Sequence, residues 1–107
     1  MRPEFIIYPG KTNSVQLQLL VNGAVINHAV TTRLRILVGS TWYDSNAVPA
    51  LFDLTKTDYV EIKLGSTSPA LSAGTYTCLI VIDNTGIPVQ DFVWPIEFTV
   101  IVNVLPA

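Results

Sequence analysis

Apolar and polar residues alternate with a period of two along most of this chain, and turn dipeptides interrupt the alternation at short intervals. That pattern reads as strands with one buried face, so it predicts an all-β sandwich or barrel. Phe5 and Ile7 open a short first strand that stops at Pro9-Gly10. In SVQLQLLV (Ser14 to Val21), Val15, Leu17, Leu19 and Val21 share one face and Gln16 and Gln18 the other. Asn22-Gly23 follows, a strong hairpin signal because both residues tolerate positive φ, and AVIN returns. TTRLRILV (Thr31 to Val38) turns Leu34, Ile36 and Val38 inward and Arg33 and Arg35 outward; Gly39-Ser40 then offers a second tight turn into TWYDS.

Further along, the run from Asn46 to Asp58 reads as a loop whose Leu51, Phe52 and Leu54 dip into the core. YVEIKL sets Val60, Ile62 and Leu64 against Glu61 and Lys63. After a Ser/Pro/Gly-rich connection come TYTCLIVID, a turn at DNTGIP, and one long strand expected from about Val89 to Leu105. Its even positions, from Phe92 through Trp94, Ile96 and Phe98 to Val104, are apolar. Pro95 cannot donate to a ladder, which places that part of the strand at an edge or bulge.

A chain of 107 residues implies one domain, here read as residues 1–107 with short arms at both ends. Charged residues make up 13% of it, about half the usual share, while hydrophobic residues reach 50%. That combination excludes intrinsic disorder. Six Lys/Arg against eight Asp/Glu exclude a nucleic-acid binder working by phosphate neutralisation. A single Cys excludes a disulfide framework and a multi-Cys zinc site. Val15 to Thr32 (His28 aside) and Gly65 to Ile82 lack charge, but Gln, Asn, Ser, Thr and Pro interrupt both, so neither reads as a membrane span. The start, MRPEF, lacks the apolar stretch of a secretory leader, so the expectation, if the chain is complete, is a protein made and used without export.

Scarce charge has two explanations. One is a monomer whose surface is neutral and polar. The other is that neighbouring subunits cover much of the surface, and large exposed apolar patches rarely go unused.

The segment SAGTYTC (Ser72 to Cys78) resembles the immunoglobulin F-strand pattern D-x-G-x-Y-x-C, with Ser72 in place of Asp. The resemblance implies an immunoglobulin-like β-sandwich of about seven antiparallel strands, a jelly-roll sandwich being the alternative. It also implies a tyrosine corner, with Gly74 at the sharp bend and the Tyr76 hydroxyl returning to an upstream backbone group. No Cys stands in the second strand, so the inter-sheet disulfide is absent, and Trp42 falls beyond the third long strand, where a core tryptophan belongs. The phrase L-x-A-G-T-Y with V-I-D and F-x-V-x-V further along is similar to small domains of tailed-phage virion proteins, of the capsid decoration (cement) or baseplate-adaptor type. That resemblance implies a cysteine-poor structural subunit acting by adhesion in a virion assembled in the host cytoplasm. Its partners would be copies of itself and the major capsid or tail protein.

Candidate chemistry is sparse. His28 lies in a turn with no G-x-S-x-G elbow or comparable context, and reads as structural. Cys78 shares its face with Tyr76, Ile80 and Ile82 and reads as a small core hydrophobe. Asp53, Asp58 and Glu61 interleave with Lys56 and Lys63 without calcium-loop spacing. Asp83 to Gly86 is a turn. The expectation is therefore no catalytic residue, no cofactor and no metal. Tyr8, Trp42, Tyr43, Tyr59 and Trp94 fit either a sugar platform or interface anchors.

If the third, F and G strands are neighbours, alternation sends Leu37, Leu79, Val81, Val93 and Ile101 outward, where water should meet polar residues. These five form the expected subunit interface of a homo-oligomer. The covering group within one chain would instead be loops or the apolar tail Val104 to Ala107. A second function is an immunoglobulin-like binding module, recognising glycan, from a tail, baseplate or surface protein.

Overall fold

The computed structural model describes residues 4–8, 14–21, 23–67, 71–87, 90–94 and 97–103. In chain order the strands are β1 (Glu4–Ile7), β2 (Val15–Leu17), β3 (Leu20–Val21), β4 (Ala24–Val25), β5 (Thr31–Val38), β6 (Thr41–Asp44), β7 (Phe52–Asp53), β8 (Val60–Ile62), β9 (Gly74–Asn84), β10 (Phe92–Val93) and β11 (Phe98–Val102). The described helical segments are three single 3₁₀ turns, at His28–Val30, Pro49–Leu51 and Leu64–Ser66. Among the described residues no helix is long and apolar enough to cross a membrane.

Two sheets face each other. The larger runs β1-β11-β9-β5-β6, with β10 also on β9, and the smaller runs β2-β8-β7. In immunoglobulin letters these are G-F-C-C′ (with β1 beside G) and B-E-D, the order of an immunoglobulin-like sandwich. One pairing departs from the all-antiparallel expectation: β1 lies parallel to β11, Phe5 opposite Val100 and Ile7 opposite Val102.

Alternation produces the core directly. Leu34, Ile36 and Val38 of β5, Cys78, Ile80 and Ile82 of β9, and Phe98, Val100 and Val102 of β11 turn inward from the large sheet. Val15, Leu17, Val60, Ile62 and Phe52 meet them from the small one, in a single buried cluster. The core tryptophan is Trp94, tilted against Phe98 with ring centroids 6.3 Å apart, and not Trp42.

Two long strands foreseen in the sequence are broken. The first splits after Leu17, because the Leu19 amide leaves the sheet to donate to the imidazole of His28 at 2.9 Å. Leu20 and Val25 then form a separate hairpin whose turn includes Gly23 at φ 79°. Asn22, the other turn residue, lies outside the described residues. The last strand divides into β10 and β11, both paired with β9, on either side of the Pro95 position. Pro95 and Ile96 themselves lie outside the described residues, as do the tail from Val104 and the turn at Pro9-Gly10.

Candidate functional site

The two-residue turn Gly39-Ser40 sets the geometry of the outer face. Gly39 takes φ 63°, which an L side chain resists. A two-residue loop pairs Val38 with Thr41 and therefore Leu37 with Trp42. On its other side Leu37 pairs with Leu79. Trp42, Leu37 and Leu79 thus form one row across β6, β5 and β9 on the face away from the core. Trp42 is 51% exposed, while Leu37 and Leu79 are half-buried.

The adjacent row holds Asp44, Arg35, Val81 and Val93. Val93 is 50% exposed, but Val81 is only 8% exposed although it too points outward. Its cover comes from this chain. Arg35 on β5 forms an ion pair with Asp91, which lies just before β10, so its side chain crosses β9 at the level of Val81. The Arg35 Nε is buried there without a hydrogen-bond partner. Long cationic stems commonly cover apolar surface in this way. Asp91 sits at φ 53°, held by its own N–H donating to Asp83 Oδ1 at 2.5 Å.

Of the five expected interface residues, the fold therefore gathers Leu37, Leu79, Val81 and Val93. Ile101 is set apart. It pairs with Thr75 and, across β11, with Ile6, and the row of Thr77 and Thr99 separates that pair from Leu79. Ile6 is 53% exposed, so the far end of the face carries a second, smaller apolar spot. Sequence reasoning passed over Ile6, and left Trp42 between core, sugar platform and interface anchor. The turn at 39–40 held the signal for Trp42, since a two-residue loop fixes the register opposite Leu37.

Two ion pairs, Arg33–Asp44 and Arg35–Asp91, lie toward one end of this face, and Glu4, opposite Thr99 on β1, lies nearer the other. Arg33 binds Asp44 through both its Nε and Nη2. The hydrogen bond from Arg33, joined by the Asn46 amide, holds the Asp44 carboxyl down at about 2. The same bond raises Arg33 above its ordinary value.

At the corner of β9 the Tyr76 hydroxyl donates to the Ser72 carbonyl at 2.7 Å, around Gly74 at φ 153°. His28, fully buried, accepts from Leu19 N–H at Nε2 and meets the Thr57 carbonyl at Nδ1, 2.8 Å away. Accepting at Nε2 puts the ring proton on Nδ1, so Nδ1–H donates to Thr57. The ring is a clamp between loops, with both nitrogens engaged. Cys78 is buried, and that burial pushes its thiol up to about 12. Asp53 accepts from the Thr55 amide and hydroxyl, and Glu61 accepts from Gln16. Among the described residues no group of three or more His, Cys, Asp or Glu side chains could hold a metal ion.

The five aromatic residues do not assemble into a platform. Trp42 faces outward on β6, Tyr8 follows β1 at the opposite edge of the same sheet, Tyr43 opposite Ile36 faces inward, Trp94 is buried, and Tyr59 precedes β8 in the other sheet. A pocket of about 280 Å³ opens beside β6, lined by Tyr43, Val48, Pro49, Ala50, Leu51 and Ser66. Its lining is aliphatic apart from the two hydroxyl-bearing side chains.

No protein-family model matches the chain, and no curated protein matches it. Among solved structures it is similar to the Bacteroides ovatus mixed-linkage glucan utilization locus protein SGBP-B, solved in complex with a mixed-linkage heptasaccharide. Identity is 15% and the TM-score 0.43, over 96% of this chain. The chain spans 23% of the length of that structure.

Proposed function

We propose that this chain is a non-catalytic adhesion subunit that binds protein through the outer face of its large sheet. The row Trp42–Leu37–Leu79 carries this reading: a tryptophan half open to solvent, flanked by aliphatic side chains on two neighbouring strands. Trp is the residue type most enriched among binding hot spots. A sugar site needs polar groups placed to read hydroxyls beside its aromatic ring. The row neighbours of Trp42 are Leu37 and Leu79, which favours a protein surface over a glycan. In its finest form the reading is a structural subunit of a tailed-phage virion, resting on the sequence resemblance carried by L-x-A-G-T-Y, V-I-D and F-x-V-x-V and on the scarcity of charge. Adhesion of this kind needs neither cofactor nor catalytic group, and low charge reduces the number of ions desolvated at each contact.

The test is co-sedimentation with capsid shells and tails of the phage or prophage that carries the gene, comparing the native chain with Leu79→Lys. The native chain is expected to sediment with one of them and the variant to remain in the supernatant. Equal sedimentation of the two overturns the face. A Trp42 fluorescence response to soluble oligosaccharides, abolished by Trp42→Ala, overturns protein adhesion in favour of the glycan module.

A further inference from the structure

The sign of the charge on the outer face narrows what can cover it. Among the described residues the face carries two cations, Arg33 and Arg35, and both are already paired, with Asp44 and Asp91. Three further carboxylates share the face. Asp83 points outward on β9, level with Arg33, and accepts from the Asp91 amide. Glu4 lies opposite Thr99, and one further step of the β11 register sets Glu97 level with Leu79. Five carboxylates thus stand against two guanidinium groups, an excess of three. With Glu97 left out of the count, four still stand against two. The other described charges are Lys56 and Lys63 against Asp53, Asp58 and Glu61, an excess of one. Most of the described negative excess therefore lies on this face.

Its carboxylates surround the apolar groups. Glu97 stands at the β11 end of the Trp42–Leu37–Leu79 row and Glu4 one strand beyond, while Asp83 and Asp91 lie past Val81 toward the end of β9. At the opposite end of the row the half-exposed Trp42 presents an indole ring, whose face attracts cations. An apolar centre inside a polar rim is the anatomy of a protein–protein interface. Four neighbouring strands at about 4.8 Å spacing, and nine residues of β9 at about 3.4 Å each, give roughly 600 Å² in projection. That reaches the lower end of the roughly 600–1,000 Å² each partner gives to a stable complex. A second copy is a poor occupant, because its own face brings the same sign of charge.

We propose that the face docks a different protein, one whose contact surface has an apolar centre ringed by Lys and Arg. This inference rests on the adhesion reading and adds the chemistry of the partner. Trp42, Leu37 and Leu79 hold the partner by desolvated contact, and the carboxylates speed and orient its approach.

Biolayer interferometry tests this, with capsid shells or tails of the phage or prophage that carries the gene immobilised as the probe. Between about 50 mM and about 500 mM NaCl the association rate is expected to fall at least about tenfold, because salt screens the rim attraction. Glu4→Lys is expected to slow association at least about threefold and leave dissociation nearly unchanged, as a rim charge does. Glu61→Lys makes the same reversal on the outer side of the small sheet and is expected to leave association nearly unchanged. Trp42→Ala is expected to speed dissociation at least about tenfold, the effect of losing one buried anchor. Association indifferent to salt and to Glu4→Lys overturns the basic partner, while the adhesion reading still stands if Trp42→Ala speeds release. Equal slowing by Glu4→Lys and Glu61→Lys overturns the placement of the charge on this face. A native dimer in sedimentation velocity that Trp42→Ala dissolves overturns the choice of a different protein. No association at either salt removes the adhesion reading and this inference with it.

Discussion

The backbone N–H of Leu19 donates to Nε2 of His28 at 2.9 Å, and that bond decides where the second strand stops. The amide would otherwise continue the ladder with β8, whose pairing with β2 ends at Leu17 opposite Val60. The ring is fully buried, and the Thr57 carbonyl that receives its Nδ1–H also accepts from the His28 amide at 3.0 Å. Replacing His28 by Phe fills the space but leaves the buried Leu19 donor unsatisfied. His28→Phe is expected to lower unfolding stability by about 1–3 kcal/mol, measured by urea denaturation. A loss much below that range would show that water reaches Leu19 and that the clamp is dispensable.

Asp44 predicts a pH dependence with a definite sign. Its folded value of about 2 lies below the ordinary 3.8, first because of the Arg33 hydrogen bond and then because of the Asn46 amide. The unfolded chain therefore binds the extra proton first as pH falls. Stability from this group is complete above about pH 4 and is lost as pH falls toward 2. Asp44→Asn keeps an oxygen acceptor for the Asn46 amide and removes the titration. Its unfolding free energy is expected to fall less steeply than that of the native chain between pH 4 and pH 2. Parallel profiles for the two proteins would refute the assignment.

Period-two alternation made β5, β8 and β9 legible, because each has one face in the core and short-range pattern is all that such strands require. It also carried the inward sets of the core and the outward direction of Leu37, Leu79, Val81 and Val93. What escaped it depends on contacts between residues far apart in sequence. Leu19 is diverted by a ring nine positions away. Val81 is shielded by an arginine from one neighbouring strand reaching an aspartate beside another. Ile101 is isolated by the register of β11 on β9, which no local pattern specifies. The site was thus readable as a list of outward aliphatics, and its shape was not.

Cys78 gives a chemical check on the core. Burial raises its thiol to about 12, so at neutral pH it is almost wholly protonated as well as enclosed. Thiolate is the reactive form. The native chain is expected to leave a colorimetric thiol reagent such as DTNB unreacted for hours at pH 8, and to react fully within minutes in urea. Prompt reaction without denaturant would mean that the β9–β11 seam opens readily, since Cys78 pairs with Phe98 there.

Gly39 and Tyr76 form the last testable pair. A Cβ on Gly39 would lie 3.1 Å from Tyr76 Cδ1, and the residue also has φ 63°. Gly23 has a similar φ of 79° with nothing within 4 Å of its position, so it isolates the backbone cost alone. Gly23→Ala is expected to destabilise by about 1–2 kcal/mol, the cost of a left-handed conformation for an L residue. Gly39→Ala is expected to cost roughly 1 kcal/mol more, because the Tyr76 ring must give way. In a Tyr76→Ala background that excess is expected to vanish, leaving the two alanine substitutions equal in a double-mutant cycle. Persistence of the excess without the ring would place the strain in the β5–β6 hairpin itself. The register that brings Trp42 opposite Leu37 would then depend on Gly39 alone, without support from the tyrosine corner.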